Sequence, residues 1–289
     1  MKAHLFFLMI SCSALGHRDY GRFGNQIFQY SLCKVLSIIH NQPFYLNPPD
    51  HFLNFFDREW LSFNRADVFD QNKYIENNAY SFDSTIFKRK NIDLIGFFQN
   101  LSYYENYLSE IITELRPNPK ILNQSYNYIV DNIGEQNIDN TICVHVRRGD
   151  YKNLQNLYGY LDTNYFNYII KSIEPSYIFI ISDEIDLVKH EFIDCKELKK
   201  HKKVIFIDNL DIYHEFYIMY LCRHGIISNS SFSWWSKVLS NYLNDKIIYI
   251  PKPWLRASTN HENINLYPKN CKNINRSNAL WDNLFTTTV

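Results

Sequence analysis

Between Ile142 and Ile250 the chain alternates short apolar runs with segments of helical period, and few folds tolerate that order. The runs Ile142–Val146, Tyr177–Ile181, Val204–Ile207, Gly225–Ile227 and Lys246–Ile250 read as strands. Thr163–Ile173, Glu184–His190, Ile212–Cys222 and Phe232–Leu243 read as the helices between them. The strands show no in/out alternation, so both faces are buried, and the helical connections join them in parallel. The expectation is an α/β fold with a parallel sheet covered on both sides.

The first half carries the same opening more faintly. Leu5–Ile10 reads as a buried strand, Gly21-Arg22-Phe23-Gly24-Asn25-Gln26 as a loop, and Ile27, Tyr30, Leu32, Val35, Leu36 and Ile39 as one face of a helix. Lys2 and the apolar run after it also fit a short secretory leader, although the run is too short to span a bilayer, which takes about 20 residues. Residues 41–90 show no clear period, Ile92–Phe98 reads as a strand, and Tyr103–Leu115 as a helix stopped by Pro117 and Pro119. The Asn-rich stretch from Pro117 to Asn140 marks the division, giving an N-terminal domain of residues 1–138 and a C-terminal one of 139–289. Two Rossmann-like domains with parallel sheets facing a central cleft is the architecture this implies. Hydrophobic residues make up 46% of the 289, enough for a core in each.

Thirty basic and thirty acidic residues cancel, so the electrostatic footprint of a nucleic-acid binder is missing and any anion must be held locally. Ligands of doubly wound sheets sit at the carboxyl ends of the strands, where three polar clusters fall. The glycine turn around Arg22 and Asn25 allows close backbone approach at a helix start, though such a turn is also ordinary connection chemistry. His145-Val146-Arg147-Arg148-Gly149-Asp150 puts two adjacent arginines at a strand end, costly to desolvate unless an anion or carboxylate meets them. Most arginine pairs are solvated surface charges, but the strand end and the flanking Gly, His and Asp favour a site, with Asp150 orienting an arginine. Ser228-Asn229-Ser230-Ser231 precedes a helix, so hydroxyls and helix-start N–H groups there suit phosphate, or only an N-cap. Trp234 and Trp235 read as core packing.

The sequence holds no G-x-x-x-x-G-K-[ST], no G-x-G-x-x-G, no H-E-x-x-H and no Asp-x-Asp. The six cysteines form no C-x-x-C and read as small hydrophobes of a reduced, intracellular chain. A pyrophosphate bound here is therefore expected to be neutralised by arginines, serines and helix ends, with no metal.

At these clusters the chain resembles the alpha-1,2-fucosyltransferases of glycosyltransferase family 11. His145-Val146-Arg147-Arg148-Gly149-Asp150 is similar to the H-x-R-R-x-D motif of fucosyltransferases. Gly24-Asn25-Gln26-Ile27-Phe28-Gln29-Tyr30 resembles the family's opening, Ser228 to Trp235 its S-F-S-W-W segment, and Pro251-Lys252-Pro253-Trp254 its closing element. The resemblance implies a GT-B-like fold and a galactoside 2-alpha-L-fucosyltransferase-like enzyme, taking GDP-beta-L-fucose as co-substrate, without cofactor or metal, and inverting to an alpha linkage. It implies Arg147 at the beta-phosphate, Arg148 and Asp150 bracing the turn, and His145 near the guanine. Ser230 and Ser231 are implied as phosphate donors, with Arg22 and Asn25 at the pyrophosphate or fucose. Glu215, where the family usually has Asp, is implied at guanine N1–H and N2–H₂. The implied acceptor is a galactose-terminated glycan, the location cytoplasmic, with peripheral membrane association through a lipid-linked acceptor. The alternatives are a fucosyltransferase of other linkage, a transferase of another GDP-sugar, and a non-catalytic GDP-sugar or glycan-binding protein on the same fold.

Overall fold

A computed structural model describes residues 9–66, 72–173, 175–196, 198–241, 246–256 and 264–276. The chain divides into two compact units, one running to Asn118 and including a short segment around Asn265, the other taking up the chain from Pro119.

The first unit begins with β1 (Ile10–Ser11), α1 (Phe23–His40), β2 (Phe44–Leu46), α2 (Asp50–Leu53) and β3 (Asn64–Arg65). It continues with β4 (Asn72–Ile75), β5 (Ile92–Ile95) and α3 (Leu108–Glu114). The sheet runs β3-β2-β1-β5-β4, with every pairing parallel. β1 is the central strand: Ile10 pairs with Phe44 on one side and Ile92 on the other. Of the Leu5–Ile10 strand expectation, Leu5–Leu8 lies outside the described residues, as does the leader reading of that stretch. Helix α1 buries Ile27, Phe28, Leu32, Val35 and Leu36 and ends where Asn41 turns left-handed at φ 49°, an αL stop that Asn tolerates. Tyr103–Leu115 is not one helix. Two short 3-10 turns, Leu101–Tyr103 and Glu105–Tyr107, precede α3, because the Asn100 side chain caps the first and Tyr104 leaves helical geometry.

The second unit begins with α4 (Pro119–Ile133), β6 (Thr141–Val146), α5 (Thr163–Ile173), β7 (Tyr177–Ser182), α6 (Ile185–Phe192) and β8 (Lys203–Phe206). α7 (Ile212–Leu221), β9 (His224–Ile226), α8 (Ser231–Asn241), β10 (Ile248–Lys252) and β11 (Cys271–Asn275) complete it. The order is β11-β10-β9-β6-β7-β8, again all parallel. β6 is buried along its whole length and splits by pleat: Ile142, Val144 and Val146 join α5 and α6, while Cys143 joins α4 and α7. Because Ile129 and Ile133 of α4 pack in that second layer, the division between units falls after Asn118, at the start of the Pro117–Asn140 stretch and not at residue 138.

In this sheet the chain moves outward one way through β6, β7 and β8, then returns and moves outward the other way through β9, β10 and β11. The switch falls between β6 and β9, whose carboxyl ends lie side by side. Doubly wound sheets open a crevice at that point. Among the described residues no helix is long and apolar enough to cross a membrane.

Candidate functional site

The switch point is stitched by Ser228. Its backbone N–H and its hydroxyl both donate to the carbonyl of His145, at 3.1 and 2.7 Å, and its Oγ accepts the N–H of Arg147 at 3.0 Å. Three residues from two strand ends are thereby locked, and the side chain of Arg147 leaves β6 in a fixed direction.

That guanidinium is held by two carboxylates. Nη2 pairs with Asp150 and Nη1 with Asp183, each at 2.5 Å, and the plane lies over the Tyr151 ring. Arg147 keeps 12% of its side chain exposed. A guanidinium carries five N–H donors, more than these two contacts consume. Asp183 follows β7, the neighbour of β6, and its Oδ1 also accepts the N–H of Arg148 at 2.8 Å. The carboxylate presses so closely that a Cβ at Gly149 would meet Asp183 Oδ2 at 2.2 Å. Gly149 is needed for that approach.

Arg148 turns the other way. Its side chain is 2% exposed, with Nε and Nη2 bound to the Glu191 carboxylate of α6 at 3.0 and 2.6 Å and Nη1 donating to the carbonyl of Arg147 at 3.1 Å. A buried guanidinium needs such pairing, and the residue that meets this one comes from α6. Arg148 therefore braces the turn from within, and Arg147 alone offers its charge outward.

His145 ends the buried strand. Burial, then the neighbouring Arg147 charge, pull its pKa down to about 3, so the ring is neutral. Its Nδ1 is buried without a hydrogen-bond partner among the described residues. The ring lies 6.1 Å from that of Phe232, at the start of α8. Glu215 sits in the first turn of α7, which Asp211 caps by accepting the N–H groups of Tyr213 and His214. Burial foremost, then the charges of Asp183 and Asp211, raise the Glu215 pKa to about 7, which places this carboxyl in the field of the Arg147 partner.

The serine cluster divides. Ser230 is buried, with its N–H on the Ser228 carbonyl and its own carbonyl accepting Trp234 N–H, while Ser231 opens α8 half-exposed. Asn229 is buried and donates to the carbonyls of Tyr158 and Trp254. Trp234 and Trp235 pack edge to face in the core, as composition and position suggested.

Arg22 and Asn25 belong to the first unit. Arg22 precedes α1 with an extended backbone, and its carbonyl accepts the N–H groups of Asn25 and Gln26 at 2.8 and 3.1 Å. The second unit thus brings together His145, Arg147, Arg148, Asp150, Glu215, Ser230 and Ser231. Sequence reasoning missed Asp183, Glu191 and the role of Ser228. Asp183 stands directly after a strand end, which was its signal; Glu191 left none.

Two parallel-sheet α/β units, one with a clamped arginine at its switch point, define a GT-B-like fold. The solved structure of POFUT1 in complex with GDP aligns with 84% of this chain and 97% of its own at a TM-score of 0.50 and 13% identity, a likeness of fold. The chain belongs to glycosyl transferase family 11, which matches residues 17–274. It is 29% identical over 197 residues to an alpha-1,2-colitosyltransferase of Escherichia coli, covering 63% of this chain and 62% of that protein. It is 24% identical over 176 residues to the O-antigen biosynthesis glycosyltransferase WbnK of Escherichia coli, covering 57% and 56%. The chain thus spans less than two thirds of the length of these curated relatives.

Proposed function

We propose that this chain is an inverting fucosyltransferase that moves L-fucose from GDP-beta-L-fucose to a galactoside hydroxyl, in an alpha-1,2 linkage, for glycan or surface polysaccharide synthesis. The observation that carries the reading is Arg147, a permanently charged group at the switch point, aimed by Asp150 and Asp183 and partly open to solvent. In an in-line displacement at fucose C1, negative charge builds on the departing GDP. A pre-set donor at that charge is worth ~3 kcal/mol, the scale of an oxyanion-hole donor.

The remaining groups have roles suited to their chemistry. Neutral His145, with its orphan Nδ1, is a hydrogen-bonding partner for the guanine, and Glu215 accepts from guanine N1–H and N2–H₂. The half-exposed Ser231 and the first N–H groups of α8 donate to phosphate. Asn25 and Arg22 are assigned to the donor's pyrophosphate or fucose. The charge is balanced by these side chains and helix ends, without a metal or cofactor. The protein works in the cytoplasm and meets a lipid-linked acceptor at the membrane face.

The name of the colitosyltransferase relative favours a second reading, in which the transferred sugar is colitose on the same nucleotide. Purified protein incubated with GDP-fucose, or with a GDP-activated colitose, and a beta-galactoside separates the two by which donor releases GDP and labels the acceptor. Thermal shifts with GDP, GDP-fucose and GDP-mannose test the nucleotide. Protein that neither shifts with GDP nor releases it from any donor would sink the proposal.

A further inference from the structure

The first sheet has its own switch point. The chain moves one way through β1, β2 and β3, and β5 and β4 lie on the other side of β1, so the carboxyl ends of β1 and β5 are neighbours. The glycine turn follows β1, and the loop Gly96-Phe97-Phe98-Gln99 follows β5 directly.

That loop is strained and pinned. Phe98 is a fully buried, non-glycine residue at φ 54°, a conformation costing about 1–2 kcal/mol. Glu76, just past β4, holds it by accepting the N–H groups of Phe97 and Phe98 at 2.7 and 3.0 Å. Burial raises the Glu76 pKa to about 7 despite those two donors. Tyr104 donates its hydroxyl to the Phe98 carbonyl at 2.6 Å, Gln29 its amide to the Gly96 carbonyl at 2.9 Å, and the Gln99 N–H goes to Ala79 at 2.9 Å. Strain that is over-determined in this way belongs to places where a side chain must be aimed.

The side chain so aimed is Gln99. It is 7% exposed, and its Nε2 donates to Asn25 Oδ1 at 2.7 Å. With the oxygen of the amide committed, the Asn25 nitrogen lies over Gly21, where a Cβ would meet it at 1.7 Å. Gly21, at φ 92°, is the residue that permits both the turn and the approach. The geometry points to Gln99 as a positioning residue: it sets which end of the Asn25 amide faces the turn, so that the turn presents an N–H donor to an acceptor on its ligand. The chemistry served is a phosphate or sugar oxygen. The inference rests on the reading of Asn25 as a contact to the GDP-fucose donor.

The test is a set of substitutions read as separate KM values for GDP-fucose and for the galactoside. Gln99→Met has similar length but no donor, so the amide oxygen loses the bond from Gln99, and the donor KM rises ~10-fold with the acceptor KM unchanged, the scale of one hydrogen bond to a charged group. Gln99→Glu only accepts and turns the amide over, so the rise is on the order of 10²-fold. Asn25→Asp can still accept from Gln99 but cannot donate, and it matches Gln99→Glu. In an Asn25→Ala background, Gln99→Met adds nothing. Urea midpoints confirm that each variant is folded, and Asn25→Asp carries the test alone should both Gln99 variants fail to fold. Wild-type donor KM in the Gln99 variants, an undiminished effect of Gln99→Met in the Asn25→Ala background, or a wild-type donor KM in Asn25→Asp overturns the inference. A wild-type donor KM in Asn25→Ala instead retires the assignment of the turn to the donor, and the inference with it.

Discussion

Replacing Asp183 by Asn isolates what aims Arg147. The carboxylate has two duties: Oδ1 accepts the Arg148 N–H at 2.8 Å, and Oδ2 faces Arg147 Nη1 at 2.5 Å, with its side chain 23% exposed. Asn keeps the first, since its amide oxygen can occupy the Oδ1 position. It inverts the second, because an N–H₂ group then faces a guanidinium N–H₂, and Arg147 swings toward Asp150, its other carboxylate. The lost interaction is a hydrogen bond between charged groups, worth about 1.5–3 kcal/mol. If the aim of Arg147 sets how well the leaving pyrophosphate is met, that energy appears as a fall of ~10–10²-fold in kcat. The assay is steady-state GDP release at saturating donor and acceptor, with urea midpoints beside it. A kcat within twofold of wild type together with a lowered midpoint would show that Asp183 is only fold glue. Gly149→Ala gives an independent handle: its Cβ would sit 2.2 Å from Oδ2 and displace the same carboxylate. Gly149 does not need a positive φ, so the backbone accepts Ala. The variant should copy Asp183→Asn, and the double variant should be no worse than either single one.

Arg147→Lys keeps the charge but loses the planar fork, and should lower turnover by at least ~10²-fold; near-normal turnover refutes the two-carboxylate aim. Glu191→Ala strands the Arg148 guanidinium, which is 2% exposed, and should cost ~2–4 kcal/mol in urea melts, since Glu191 itself keeps 27% exposure. The double variant Arg148→Met/Glu191→Leu should recover most of that loss; if it does not, the pair does more than brace. Glu215 and Glu76 both have pKa values raised to about 7, so between about pH 4.5 and 7 the folded protein binds more protons than the unfolded chain. Stability should therefore fall as pH rises through that window and level off above it, and Glu215→Gln should flatten the slope measured by urea melts at pH 5, 6, 7 and 8. Turnover should persist in excess chelator; dependence on added Mn²⁺ or Mg²⁺ would show that side chains alone do not neutralise the pyrophosphate.

The second sheet was readable in sequence because β6 and β7 are buried along their whole length, which writes each as an unbroken apolar run. The first was readable only at β1 and β5: β3 is Asn64–Arg65, both exposed, and β4 buries only Tyr74 of its four residues. Helix α4 was hidden by its asparagines, since its buried stripe is only Ser125, Ile129 and Ile133. The same distinction governs the site. Arg147 and Asp150 pair across three residues, a spacing visible on the page of letters. Asp183 and Glu191 meet the same turn from β7 and α6, and nothing local records that β7 is the neighbour of β6. An adjacent pair of arginines at a strand end therefore does not itself say which one faces inward, and it is Glu191 of α6 that takes Arg148. The placement of β7 and α6 beside that turn, which no short motif encodes, decides which arginine is buried against a carboxylate and which keeps an exposed edge.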